Sequence, residues 1–270
     1  MRRVRLRHDH LRPSRALFGY LKHRRRRAIH QRPVPDAWRW IVARNVPAFA
    51  RLPVPSQDDW FGHAQVLLEE KHWEGCGGLE LTDEIRVTIA MQAARLVLGR
   101  DADYFPSVLS ILVYPTTLLR REEQQIDDGI WTEDDDELDG LAATDLGAIV
   151  ISWDAVLDGI HDPGDGFNVV LHEFAHELDF QDGNFNGAPL MDSAGQLTRW
   201  RAALAPAYEE LQADVEAGRE TFLDDYGATD PTEFFAVLTE SFFERPAALR
   251  KRYPHVYEAL KEFYGQDPAA

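Results

Sequence analysis

Cysteine is almost missing from this chain: Cys76 is the only one in 270 residues. A single thiol closes no internal disulfide and builds no thiolate zinc cage, and that usage fits a reducing compartment. The sequence also lacks any run of the ~18–20 apolar residues that a membrane-spanning helix needs. Its N-terminus carries no apolar stretch ending in a small-residue cleavage site. These absences read as a cytoplasmic protein with no membrane span. No internal repeat is present either. What remains is ordinary for a globular protein, 44% hydrophobic and 11% aromatic, which excludes wholesale disorder.

Charge is unevenly spread. Residues 1–35 hold eleven arginines and Lys22 against the lone Asp9, a net of +11, so within a total of −17 the remainder carries −28. An acidic body repels nucleic acid as a whole. A basic arm on it still offers a contact for phosphate, anionic lipid or an acidic partner. The run "KHRRRR" (Lys22 to Arg27) reads first as a solvated extension that neutralises the body. The domain boundary falls near "RPVPDAW" (Arg32 to Trp38), where two prolines precede the first apolar periodicity.

Beyond that boundary the N-terminal half reads as mainly helical. "AWRWIVARNVPAFARL" and "DDWFGHAQVLLEEKHWEG" are two short amphipathic helices. "LTDEIRVTIAMQAARLVLG" is a stronger one, with Thr82 or Asp83 as cap and Gly99 as stop. Two β-branched runs, "SVLSILVYP" and "LGAIVISW", are short enough to be strands that pair in a small sheet. Between them, residues 121–140 are acid-rich and read as a solvated excursion with a hairpin-like piece around Ile130 and Trp131. A long helix around "LTRWRAALAPAYEELQADVEAG" is expected to kink or break at Pro206. Another opens at "TDPTEFF", with Thr229 or Asp230 as cap and Pro231 in its first turn.

The segment "NVVLHEFAHELDFQDG" (residues 168–183) carries the chemistry. Residues four apart lie on one helix face, so His172 and His176 can aim two imidazoles at one ion. Glu173 sits about 100° further round, placed to reach a water at that ion rather than the ion itself, as a general base does. The surrounding Val169, Val170, Leu171, Phe174, Ala175 and Leu178 make the helix apolar nearly all round, and buried polar groups there need partners. The third ligand has two sources. A continuation of the motif as G-x-x-H would place Asp179 and Asp182 at the matching positions, but Asp179 occupies the glycine that turns the chain back. A second helix offers Glu233 instead, and the His₂Glu set with an open position for water favours it.

"HEFAHELD" (His172 to Asp179), together with "YGATDPTEFFAVLTESFFERP" (Tyr226 to Pro246), resembles the bacterial MtfA peptidase family, the Mlc titration factor A group of zinc peptidases. "EGCGGLELTDEIRVTIA", "ILVYP" and "VISWDAVL" share the pattern, so the likeness runs from about Pro33 to Pro268. The tyrosine seven residues before Glu233, and the two phenylalanines after it, also resemble the catalytic domain of anthrax lethal factor.

The resemblance implies an α+β, predominantly helical, gluzincin-like metallopeptidase with a small β-sheet. Charge and proline placement divide the chain into a basic, flexible arm of residues 1–32, which is not part of the family's pattern, and one domain over 33–268. The resemblance assigns Zn²⁺ to His172, His176 and Glu233, acid–base work to Glu173 and oxyanion stabilisation to Tyr226. It further implies a peptide or protein substrate, with aminopeptidase-like action on short peptides and endopeptidase action as the open alternative, and a transcriptional regulator as partner. Either Asp179 or Glu240 is expected to orient a ligand histidine through its second ring nitrogen. His63, His72 and His161 read as surface or packing residues, and Cys76 in "GCGG" as part of a tight turn.

Overall fold

The computed structural model describes residues 15–100, 103–117 and 147–270. The acidic excursion over 121–140, including its hairpin-like piece, lies outside the described residues. The first helices are α1 (Arg15–His30), α2 (Asp36–Asn45) and α3 (Val54–Glu70), followed by strand β1 (His72–Gly75) and α4 (Asp83–Arg95). Strands β2 (Ser110–Tyr114) and β3 (Ala148–Ser152) come next, and β3 runs directly into α5 (Trp153–His161). The C-terminal part is helical: α6 (Val169–Asp179), α7 (Ala194–Glu216), α8 (Pro231–Glu244), α9 (Pro246–Arg252) and α10 (Pro254–Tyr264). The α+β, predominantly helical architecture with a small sheet is as the sequence indicates.

The sheet has the order β1-β2-β3 and both pairings are parallel, with Trp73 opposite Ile111 and Ile111 opposite Ile149. Parallel strands require crossover connections, and α4 lies within the first of them. Ile111, Val113, Ile149 and Ile151 are buried and form the sheet's share of the core. Helix α6 packs against β3, α4 and α8. It is anchored by Phe174, which meets Phe105 edge-to-face at 4.7 Å, an arrangement worth ~0.5–1.5 kcal/mol beyond the area it buries. Trp60 of α3 is also buried, and its indole N–H donates to the Met91 carbonyl at 2.6 Å. The helix bearing the two histidines is thus held on three sides before any ligand is considered.

Four details depart from the sequence expectations. His72–Gly75 form a strand rather than the end of a helix, because α3 stops at Glu70 and the next residues find the edge of β2. Helix α3 begins at Val54, earlier than its apolar pattern indicates. Helix α7 continues through Pro206: buried Trp200, Leu204, Ala207 and Leu211 on both sides of the proline pack it as one unit, against the lost backbone hydrogen bond. Finally, the Arg-rich segment is helical from Arg15, and its later turns pack on α3. Ile29 is buried there, and Arg26 makes a bidentate pair with Glu70 and reaches Asp103 at 2.7 Å. Within a run read as solvated, Lys22, Arg25 and Arg26 find acidic partners on the body.

No helix among the described residues is long and apolar enough to cross a membrane.

Candidate metal centre

Local sequence sets up both helices of the site. Asn168 caps α6, its side chain accepting from the Leu171 N–H at 3.1 Å. Asp230 caps α8 with one carboxylate oxygen accepting from the N–H groups of Thr232 (2.6 Å) and Glu233 (3.0 Å), and Pro231 occupies the first turn. Such caps stabilise a helix start by ~0.5–2 kcal/mol. They also fix where the first turn of each helix points.

The histidines of α6 meet the first turn of α8. His172 and His176 have ring centroids 4.7 Å apart at 80°. Their Nε2 atoms lie 2.9 Å and 3.4 Å from the two carboxylate oxygens of Glu233. The three ligand atoms fall within 4.8 Å of one another. Glu233 Oε2, although 2.9 Å from His172 Nε2, makes no hydrogen bond. Two imidazole nitrogens and a carboxylate converging in a buried setting form a donor set that a cation would satisfy.

Glu240, two turns further along α8, completes the arrangement. Its Oε1 lies 2.7 Å from His172 Nδ1, and its other oxygen accepts from the Asn168 N–H. Donation of Nδ1–H to Glu240 would leave the Nε2 of a neutral His172 as the lone pair toward Glu233. Burial works to lower the His172 pKa, but the carboxylates at its two nitrogens outweigh it and hold the imidazole well above its ordinary value. The Nε2 side, facing Glu233, thus favours a proton, which an ion bound there would replace. Burial pushes the Glu233 carboxyl up, yet the two imidazoles win and bring it down to about 2. Burial also raises Glu240, opposed by His172.

The remaining sequence candidates divide. Glu173 is half-buried on the turn between the histidines. Tyr226 lies in a short 3₁₀ turn, 43% exposed, its ring centroid 6.1 Å from that of His172. Asp179 does not serve a histidine among the described hydrogen bonds. It is fully buried, and its carboxylate accepts from the backbone N–H groups of Asn186, Gly187 and Ala188, each at 2.9 Å, which returns the loop after α6 to the helix end. Asp182 accepts from the Asn184 N–H in a local turn and is not grouped with the histidines. Sequence reasoning missed Asn168, whose backbone joins the α6 N-terminus to Glu240; its place as a cap before the motif is the only signal it leaves.

Residues 20–265 match the family described as glucose-regulated metallo-peptidase M90. The chain belongs to this family. The M90 match takes in both helices of the site and most of α1. An uncharacterized protein of Synechocystis is 34% identical over 244 residues, covering 90% of this chain and 89% of the relative. Proteins named Mlc titration factor A, from Yersinia pestis and Yersinia pseudotuberculosis, are 33% identical over 234 residues, covering 86% of this chain and 85% of theirs. A metallopeptidase family implies a metal, and the two imidazoles and carboxylate gathered here fit one.

Proposed function

We propose that the protein is a zinc-dependent peptidase in which His172, His176 and Glu233 hold the ion. The observation that carries this reading is the convergence of their three donor atoms, with Glu233 Oε2 buried and lacking a hydrogen bond. Zinc bound there supplies a water of lowered pKa and polarises the scissile carbonyl. Glu173, on the turn between the two histidines, takes the proton of the attacking water and returns it to the leaving amine. Tyr226, half-exposed beside His172, donates a hydrogen bond from its hydroxyl to the carbonyl oxygen as charge develops there. Glu240 keeps the His172 lone pair turned toward the ion. Short peptides cleaved from their amino end are the substrates we favour, on the resemblance set out above.

Binding of a transcriptional regulator is a second reading, supported by the relatives named Mlc titration factor A. A peptide-library digest tests the first reading. Cleavage is expected to stop with a chelator and return with added zinc; cleavage indifferent to both would overturn it. Retention of a regulator by a hydrolysis-dead variant would support the second.

A further inference from the structure

A second cluster, remote in sequence from the HEFAH helix, repeats the geometry of the first. His30 is the last residue of α1; Asp59 and His63 stand one turn apart on α3. One carboxylate again lies between two imidazoles: His30 Nε2 is 3.1 Å from Asp59 Oδ1 and His63 Nε2 is 3.6 Å from Asp59 Oδ2. The corresponding distances around Glu233 are 2.9 and 3.4 Å. The rings meet at 5.0 Å and 88°, against 4.7 Å and 80° for His172 and His176. In both clusters the three ligand atoms lie within 4.8 Å of one another. A tetrahedron drawn around zinc with bonds of ~2.0–2.1 Å has an edge of ~3.3–3.4 Å, between the two distances found here.

The surroundings are also built like a ligand shell. His63 Nδ1 is 2.8 Å from the Tyr104 hydroxyl; donating Nδ1–H to that oxygen leaves the Nε2 lone pair facing Asp59. Tyr104 is held in the left-handed region at φ 54°, which is uncommon for a residue with a Cβ, and its ring lies under the Arg26 guanidinium at 4.6 Å. Gly62 makes room for His30: a Cβ there would stand 2.4 Å from the imidazole. His63 is nearly enclosed, while His30 and Asp59 open onto a groove of about 500 Å³. Solvent can therefore complete the coordination.

We propose that His30, Asp59 and His63 form a second divalent-metal site, for an ion of zinc's class that accepts nitrogen and oxygen ligands, which fastens the end of the Arg-rich helix α1 to α3. The full-length chain, stripped of metal and titrated with Zn²⁺ and separately with Co²⁺, is expected to bind two equivalents. Asp59→Asn and His30→Gln should each leave one equivalent and unchanged peptide hydrolysis, as should Gly62→Ala. Glu233→Ala should leave the other equivalent and abolish hydrolysis. Circular dichroism in chelator shows that each variant is folded, and Asp59 and His30 are exposed enough that their replacement leaves the core intact. Two equivalents retained by both Asp59→Asn and His30→Gln would overturn the site, as would a wild-type stoichiometry of one that is lost only in Glu233→Ala.

Discussion

Glu233 and Glu240, seven residues apart on α8, address the two nitrogens of the same imidazole: Glu233 lies at Nε2 of His172 and Glu240 at Nδ1. In the function proposed above, one carboxylate would share the ion with the histidine and the other would set which nitrogen carries the lone pair. Removing such an orienting partner generally costs 10–100-fold in metal affinity. Glu240→Gln is expected to weaken zinc binding by about that factor, read by competition with a chromophoric chelator. Unchanged affinity would mean that Glu240 has only a packing role.

The third ligand is open to a direct contrast. Glu233→Ala is expected to lose zinc under mild chelation, because two imidazoles alone leave the set incomplete. Asp182→Ala should keep it, since that carboxylate serves a local turn at Asn184. Metal content of the two variants after dialysis decides the matter, and the opposite order would return the ligand to the motif's own helix.

Asp179 is expected to govern stability more than chemistry. Its carboxylate satisfies three backbone N–H groups in a buried setting, and unpaired buried donors each cost ~1–3 kcal/mol. Asp179→Ala should destabilise the fold by about 2–4 kcal/mol in urea unfolding. A change below 0.5 kcal/mol, the range of an ordinary surface substitution, would contradict that role.

Glu244 should give stability a pH dependence. Burial in the small cavity behind the α6 N-terminus pushes its carboxyl up from 4.5 to about 7, against the hydrogen bond from Asn168. A folded pKa above the unfolded one means that the folded state holds the proton more tightly. The contribution is full below pH 4.5 and is lost as pH rises through 7. Glu244→Gln removes that dependence. Its stability relative to wild type is expected to rise by about 2–3 kcal/mol between pH 4.5 and 8. A flat difference across that window would show that Glu244 is not held in this state.

The HEFAH helix and its partner were legible because their signals are local. Two histidines four apart share a face whatever the tertiary fold, and Asp230-Pro231 marks a helix start that sets Glu233 in the first turn. Asp179 and Glu240 could not be ranked from spacing, since which of them meets a histidine depends on how α8 crosses α6. Strand β1 is four residues long and carries too little pattern to separate it from the helix before it. Helix α1 was masked by its charge, because its acidic partners Glu70 and Asp103 lie 44 and 77 residues away. The Asp59–His63 spacing was visible in the sequence, but the third member, His30, joins it only through the packing of α1 on α3.

Glu173 is the residue that would activate a water at an ion held by His172, His176 and Glu233. Peptide hydrolysis by Glu173→Gln, measured on protein whose zinc content matches wild type, tests that role most directly. The expected result is a loss of at least ~10²-fold in kcat with the metal still bound. Hydrolysis at the wild-type rate by the zinc-loaded variant would contradict it.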